Sequence, residues 1–154
     1  MVQEGYLVYL YKVEASNSIR TLSVLGSTNH LYYTGLFKAL LAAYPQKVAL
    51  KIIQSTELTK KTPYTLTTLE ALQKEFAAIR QRGYAIDDRE NKMEVFCVAA
   101  PVYDRLGKPI AAISIAGMAS RFIGNQERIS ECGDLVRMMA LDLSKRIGYR
   151  EDSL

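Results

Sequence analysis

Two periodicities divide the chain. Tyr6 to Val13, rich in Tyr, Val and Leu, predicts a strand. Ile19 to Leu25 alternates apolar and polar residues and predicts a second, ended by Gly26-Ser27-Thr28-Asn29. Helical spacing begins at Gly35-Leu36-Phe37-Lys38-Ala39-Leu40-Leu41-Ala42, with Thr34 placed to cap it. Pro45 stops that helix and opens another over Gln46 to Gln54. The polar stretch Thr56 to Thr67 predicts an exposed connection. Thr67-Thr68-Leu69-Glu70 then reads as a capping box, and Leu69, Leu72, Phe76 and Ile79 follow at helical spacing up to Gly83. Tyr84 to Asp88, Val95 to Asp104 and Pro109 to Gly117 predict three more strands, the last two joined by a turn at Arg105-Leu106-Gly107-Lys108. A final helix over Asn125 to Ile147 carries Ile129, Cys132, Val136, Met139, Leu143 and Ile147 as one apolar stripe, expected to face the core.

Antiparallel hairpins with helices between them make an α+β domain, an antiparallel sheet flanked by helices. With 154 residues, 49% apolar and 23% charged, the chain is expected to form one domain, residues 1–154, with its own core. No apolar run approaches the roughly 20 residues of a membrane span, so no membrane association is expected. Two cysteines make no disulfide framework and fit a reducing compartment, which points to the cytoplasm. The net charge of +4 comes from scattered Lys and Arg rather than a basic stripe, which argues against direct DNA contact. No glycine-rich phosphate loop occurs, so ATP and NAD are poor guesses, and no cofactor or metal is expected. His30, the one histidine, has no nucleophile motif around it, and Cys97 and Cys132 lack metal-ligand spacing.

One constellation carries chemistry. Asp87 and Cys97 are symmetric about a turn near Lys92, so a simple hairpin sets them opposite each other on one sheet face. A turn at Leu106 and Gly107 with a register sum of 211 would set Ser114 beside Cys97. The helix after Thr34 presents the backbone N–H groups of Gly35 and Leu36, an arrangement that attracts anions. Together these would hold a carboxylate at the helix end with its polar tail toward Asp87, Cys97 and Ser114. Ordinary packing accounts for the same residues: a capped helix, a core cysteine and a satisfied aspartate. An enzyme acting on small carbonyl acids, with Cys97 as nucleophile and Asp87 as proton carrier, is a third reading. It suffers from the carboxylate, which raises the thiol pKa.

Three segments in order resemble the IclR family of transcriptional regulators: Leu31-Tyr32-Tyr33-Thr34-Gly35-Leu36-Phe37-Lys38-Ala39-Leu40-Leu41-Ala42, the stretch from Leu69 through Gly83-Tyr84-Ala85-Ile86-Asp87 to Asn91, and Cys97-Val98-Ala99-Ala100-Pro101-Val102-Tyr103-Asp104 with Ala111-Ala112-Ile113-Ser114-Ile115. The resemblance runs from about Tyr6 to Tyr149. It implies a GAF/profilin-like effector-binding domain without catalysis, separated from an N-terminal winged helix-turn-helix that is absent here. It further implies that the effector is a small organic acid (keto, sugar or aromatic), that DNA is engaged only through the winged-helix domain, and that the regulator is a homodimer or homotetramer. By residue, it carries over Gly35 and Leu36 as backbone donors, Asp87, Cys97 and Ser114 as polar contacts, and Val95 as an apolar wall. Phe37 stands where the family usually has glycine, which would narrow the pocket, and Ala116 stands where some members carry a second serine. A strand and linking helix usually precede the segment that begins near Tyr6. Without them an exposed sheet edge would favour association. A dimerisation module whose pocket Phe37 has closed is the remaining alternative.

Overall fold

The computed structural model describes residues 2–3, 6–14, 25–26, 28–29 and 32–151. The strands β1 (Val2–Gln3), β2 (Tyr6–Val8) and β3 (Thr28–Asn29) form a small antiparallel sheet in that order. Regular strand ends at Val8, short of the predicted Val13. The predicted strand over residues 19–25 lies almost wholly outside the described residues, and Leu25 and Gly26 form a turn, with Gly26 at φ +78°.

Four helices follow the predicted spacings: α1 (Gly35–Ala43), α2 (Gln46–Gln54), α3 (Leu69–Arg82) and α4 (Gln126–Arg146). The Thr34 hydroxyl caps α1 by accepting from Phe37 N at 3.4 Å. At α3 the cap is Thr68, not the first threonine of the predicted box: its hydroxyl accepts from Ala71 N at 3.2 Å. Gly83 ends α3 in the left-handed conformation, φ +84°, which a side chain would resist.

The second sheet carries the domain. Strands β4 (Ala85–Asp88), β5 (Val95–Tyr103) and β6 (Pro109–Met118) pair antiparallel with β5 central. Alternation along β5 sends Cys97 and Ala99 to one face and Phe96, Val98, Ala100 and Val102 to the other. Helix α1 covers the first face with α3 behind it, and Leu40, Leu41, Leu72, Phe76 and Ile79 fill that core. Helix α4 covers the second, through Val136 and Ala140.

The packing of α4 departs from the predicted stripe. Its buried residues are Gly133, Val136, Ala140 and Ser144, while Met139, Leu143 and Ile147 are exposed. Small residues decide this: a Cβ on Gly133 would lie 2.3 Å from the Tyr84 ring, so the helix lies closer to the sheet than a row of large side chains permits. The Ser144 hydroxyl, wholly buried, accepts from Tyr103 N and donates to Ala140 O, tying the helix to the end of β5.

Candidate functional site

The site begins where α1 meets the sheet. Asp87 and Cys97 are direct partners across β4 and β5, as the hairpin symmetry predicts. A Cβ built on Gly35 would lie 3.1 Å from Cys97 Sγ, 3.4 Å from Ala99 Cβ and 3.8 Å from Asp87 Cβ. The first turn of α1 therefore sits directly over this pair, and glycine is what allows that approach. The leading N–H groups of an α-helix have no partners within the helix, so the backbone donors of Gly35 and Leu36 stand next to a buried carboxyl and a buried thiol. Leu36 and Val95 are half-buried.

Ser114 reaches the same face by a different register. The β5–β6 register sum is 213, not 211, so Ala116 is opposite Cys97 and Ser114 is opposite Ala99. The pair nearest the turn, Tyr103 and Pro109, sums to 212, and the irregularity between Val102 and Tyr103 adds the second unit. The offset is two residues, which preserves the face. Ser114 still lies diagonal to the thiol and interacts with it. Phe37 is buried in the core with α3, while Ala116 is exposed. His30 lies outside the described residues.

The Asp87 side chain also builds the turn beyond β4: Oδ1 accepts from Glu90 N at 2.8 Å. Burial pushes its carboxyl up to about 6, against the opposing pull of Lys38 and the turn N–H groups. Burial and the neighbouring Asp87 push the Cys97 thiol up to about 12, which favours the protonated thiol over the thiolate.

Below the site lies a buried ionic cluster that the sequence reading missed. Lys38 is fully buried on α1, one turn past Gly35. Its ammonium donates to Glu90 Oε1 and, at 2.5 Å, to Ile86 O, and Glu75 Oε1 lies 3.9 Å away. Glu90 is buried too, and Oε2 has no hydrogen-bond partner. Burial pushes this carboxyl up to about 7 even with Lys38 beside it. The signal for Lys38 was there, a lone charge inside the apolar run Gly35 to Ala42. Glu90 gave none, since Asp88-Arg89-Glu90-Asn91 reads as an ordinary polar turn.

The connection over residues 56–67 also differs from its predicted exposure. Thr62 and Thr65 are buried, and their hydroxyls donate to Arg89 O and Glu90 O, each at 2.6 Å. Between these anchors Arg89 takes φ +60°, with its guanidinium 4.1 Å from the Tyr64 ring centroid. The segment thus braces the turn that holds Asp87 and Glu90. A separate groove of about 980 Å³ lies at the α1–α2 junction, and none of the sequence-predicted site residues lines it.

A three-stranded antiparallel sheet between helices, with a helix N-terminus over a buried thiol and a buried carboxyl, defines an α+β domain of the helix-flanked class. A family model described as "Bacterial transcriptional regulator IclR C-terminal" matches residues 1–145. The chain belongs to the IclR family of bacterial transcriptional regulators, in the part those proteins carry at their C-terminus. It is 32% identical over 150 residues to the HTH-type transcriptional regulator KdgR of Escherichia coli, a match covering 97% of this chain and 56% of KdgR. The crystal structure of Thermotoga maritima IclR superposes with a TM-score of 0.90 at 38% identity, covering 96% of this chain and 59% of that one. The inducer-binding domain of PobR from Acinetobacter, solved as a double mutant with 3-hydroxybenzoic acid, superposes at 0.78 with 26% identity, covering 93% of this chain and 83% of that one. The chain spans a little over half the length of KdgR and of the Thermotoga protein. Among the described residues, no helix is long and apolar enough to cross a membrane.

Proposed function

We propose that this domain senses a small organic acid and passes its occupancy to a winged-helix DNA-binding domain in the same regulator. The observation that carries the reading is the close approach of Gly35 to Cys97 and Asp87, which sets helix donors and side-chain groups around one point. In this reading Gly35 and Leu36 N–H groups receive the carboxylate. Asp87, Cys97 and Ser114 bind the polar remainder, and Val95 lines an apolar wall. An acid bound to the PobR inducer-binding domain supports the ligand class. Ala116 across from Cys97 leaves room where a serine would add a contact, and selects for a ligand with an apolar substituent there. Coupling works by linkage: the acid favours the conformation it binds better, and the operator affinity shifts by typically about 1–3 kcal/mol. The regulator would act in the cytoplasm as a homodimer or homotetramer; sedimentation giving only monomer at micromolar concentration refutes that part.

A thermal-shift screen of keto, sugar and aromatic acids tests the sensor. At a hundred times its Kd, a ligand that binds only the folded state stabilises it by about 2.7 kcal/mol. The shift should appear for one acid class and vanish in Asp87→Ala. Asp87→Asn, which keeps an acceptor for Glu90 N, separates loss of binding from loss of the turn. A flat response across the panel favours the dimerisation module.

A further inference from the structure

The groove at the α1–α2 junction is separate from the Asp87 site and has its own chemistry. Helix α1 contributes Ala39 and Ala43, and α2 contributes Val48 and Ile52, which together make an apolar wall of small and branched side chains. Tyr44 and Tyr103, both half-buried, add aromatic surface with a hydroxyl each. Arg80 of α3 and Lys108 of the β5–β6 turn also line the groove. Among the described residues the lining has no carboxylate. Asp104, in the same turn as Lys108, has its Oδ1 committed to Leu106 N and Lys108 N at 2.8 and 2.9 Å.

The guanidinium of Arg80 is held in place rather than left to swing. Its Nε donates to Ala42 O at 2.8 Å, which fixes the fork at the groove's edge and leaves its terminal nitrogens for another acceptor. Helix α2 opens on the same groove at Pro45, without a side-chain cap and without an acidic residue in its first turn. Its dipole therefore adds to the positive field of the two cations. Apolar walls, aromatic rings and two cations at the rim favour an amphipathic anion.

We infer that the groove between α1, α2 and the β5–β6 turn is a second ligand site, which takes an aromatic carboxylate with its ring against Tyr44 and Val48 and its carboxylate on Arg80 and Lys108. At about 980 Å³ the groove has room for a fused ring system.

The test uses 2-naphthoate and its neutral counterpart 2-naphthamide, titrated into the 154-residue protein and followed by amide chemical shifts. Shifts should concentrate at Ala39, Ala43, Val48 and Lys108. Arg80→Met and Lys108→Met should each weaken 2-naphthoate about tenfold, the worth of one charge-assisted hydrogen bond. Arg80→Lys should recover much of that loss, and 2-naphthamide should bind about tenfold more weakly than the acid. Val48→Trp, at an exposed position, should fill the groove and abolish binding while leaving the melting temperature in place. Asp87→Ala should leave 2-naphthoate affinity unchanged, which keeps this site apart from the sensor. Absence of shifts at the groove overturns the inference, as does equal binding of acid and amide. Loss of self-association in Val48→Trp, with no change in 2-naphthoate binding, would make the groove a contact between copies instead.

Discussion

Replacing Lys38 with methionine isolates the buried cluster. The substitution keeps a flexible side chain of similar length and removes the ammonium that bonds Glu90 and Ile86 O. Removing one partner of a buried ion pair typically costs about 3–5 kcal/mol, and here it also leaves a buried carbonyl unpaired. The dependence on pH is the sharper signature. In the native protein the Glu90 carboxyl titrates at about 7, against its ordinary 4.5. The folded state therefore holds a proton that the unfolded state has lost, and this group makes stability fall between those values and level off above about 7. Without Lys38 nothing offsets the desolvation, so the carboxyl titrates higher still. The decline, about 1.4 kcal/mol per pH unit for one proton, then continues past pH 7. Urea denaturation followed by far-ultraviolet circular dichroism from pH 5 to 9 measures both effects. Lys38→Met with Glu90→Gln should regain stability at pH 8 and lose the extended slope. A cost under about 1 kcal/mol at pH 8, with a curve parallel to the native one above pH 7, would refute the reasoning.

Asp87 adds its own contribution to pH dependence: its carboxyl sits at about 6, above its ordinary 3.8, so lowering the pH from 8 to 5 should raise the urea midpoint of the native protein. Thr68→Ala should cost about 1 kcal/mol and Thr67→Ala less than about 0.5, since only the first removes the cap; equal losses would restore the predicted capping box. Gly133→Ala should lower stability by about 1–3 kcal/mol despite better helix propensity, because its Cβ meets the Tyr84 ring, and Tyr84→Ala should reduce that added cost. Iodoacetamide at pH 7.5 should modify the half-exposed Cys132 well before Cys97, as peptide mass spectrometry can show; equal rates would return Cys97 to the list of nucleophiles.

What was legible in the sequence was whatever depends on local rules. The α1 cap at Thr34, the break at Pro45, the left-handed Gly83 and the pairing of Asp87 with Cys97 all follow from neighbours a few residues apart. The failures lie where distant segments decide. Periodicity drew the α4 stripe through its largest residues, but contact with Tyr84 turned the face bearing Gly133 and Ala140 inward. The turn itself closes at a register sum of 212, one above the expected 211, and the irregularity between Val102 and Tyr103 adds one more, so Ser114 kept its face because the total change was even. The threonines of the 56–67 connection looked like surface because their partners, the carbonyls of Arg89 and Glu90, are 25 or more residues away. Lys38 could be singled out as a charge in an apolar run, yet its partner could not be named from the chain.

Helix α1 places the Gly35 and Lys38 backbones three residues apart, about 4.5 Å along a single axis. A helix of this length moves as a strut. It cannot shift its first turn toward the sheet and leave Nζ where it was among Glu90, Glu75 and the Ile86 carbonyl. Gly35 and Lys38 both belong to the first turn of α1, so the protonation of Glu90 bears on the same turn that lies over Asp87 and Cys97. One turn of helix thus serves both the buried ion pair and the backbone contact with Cys97.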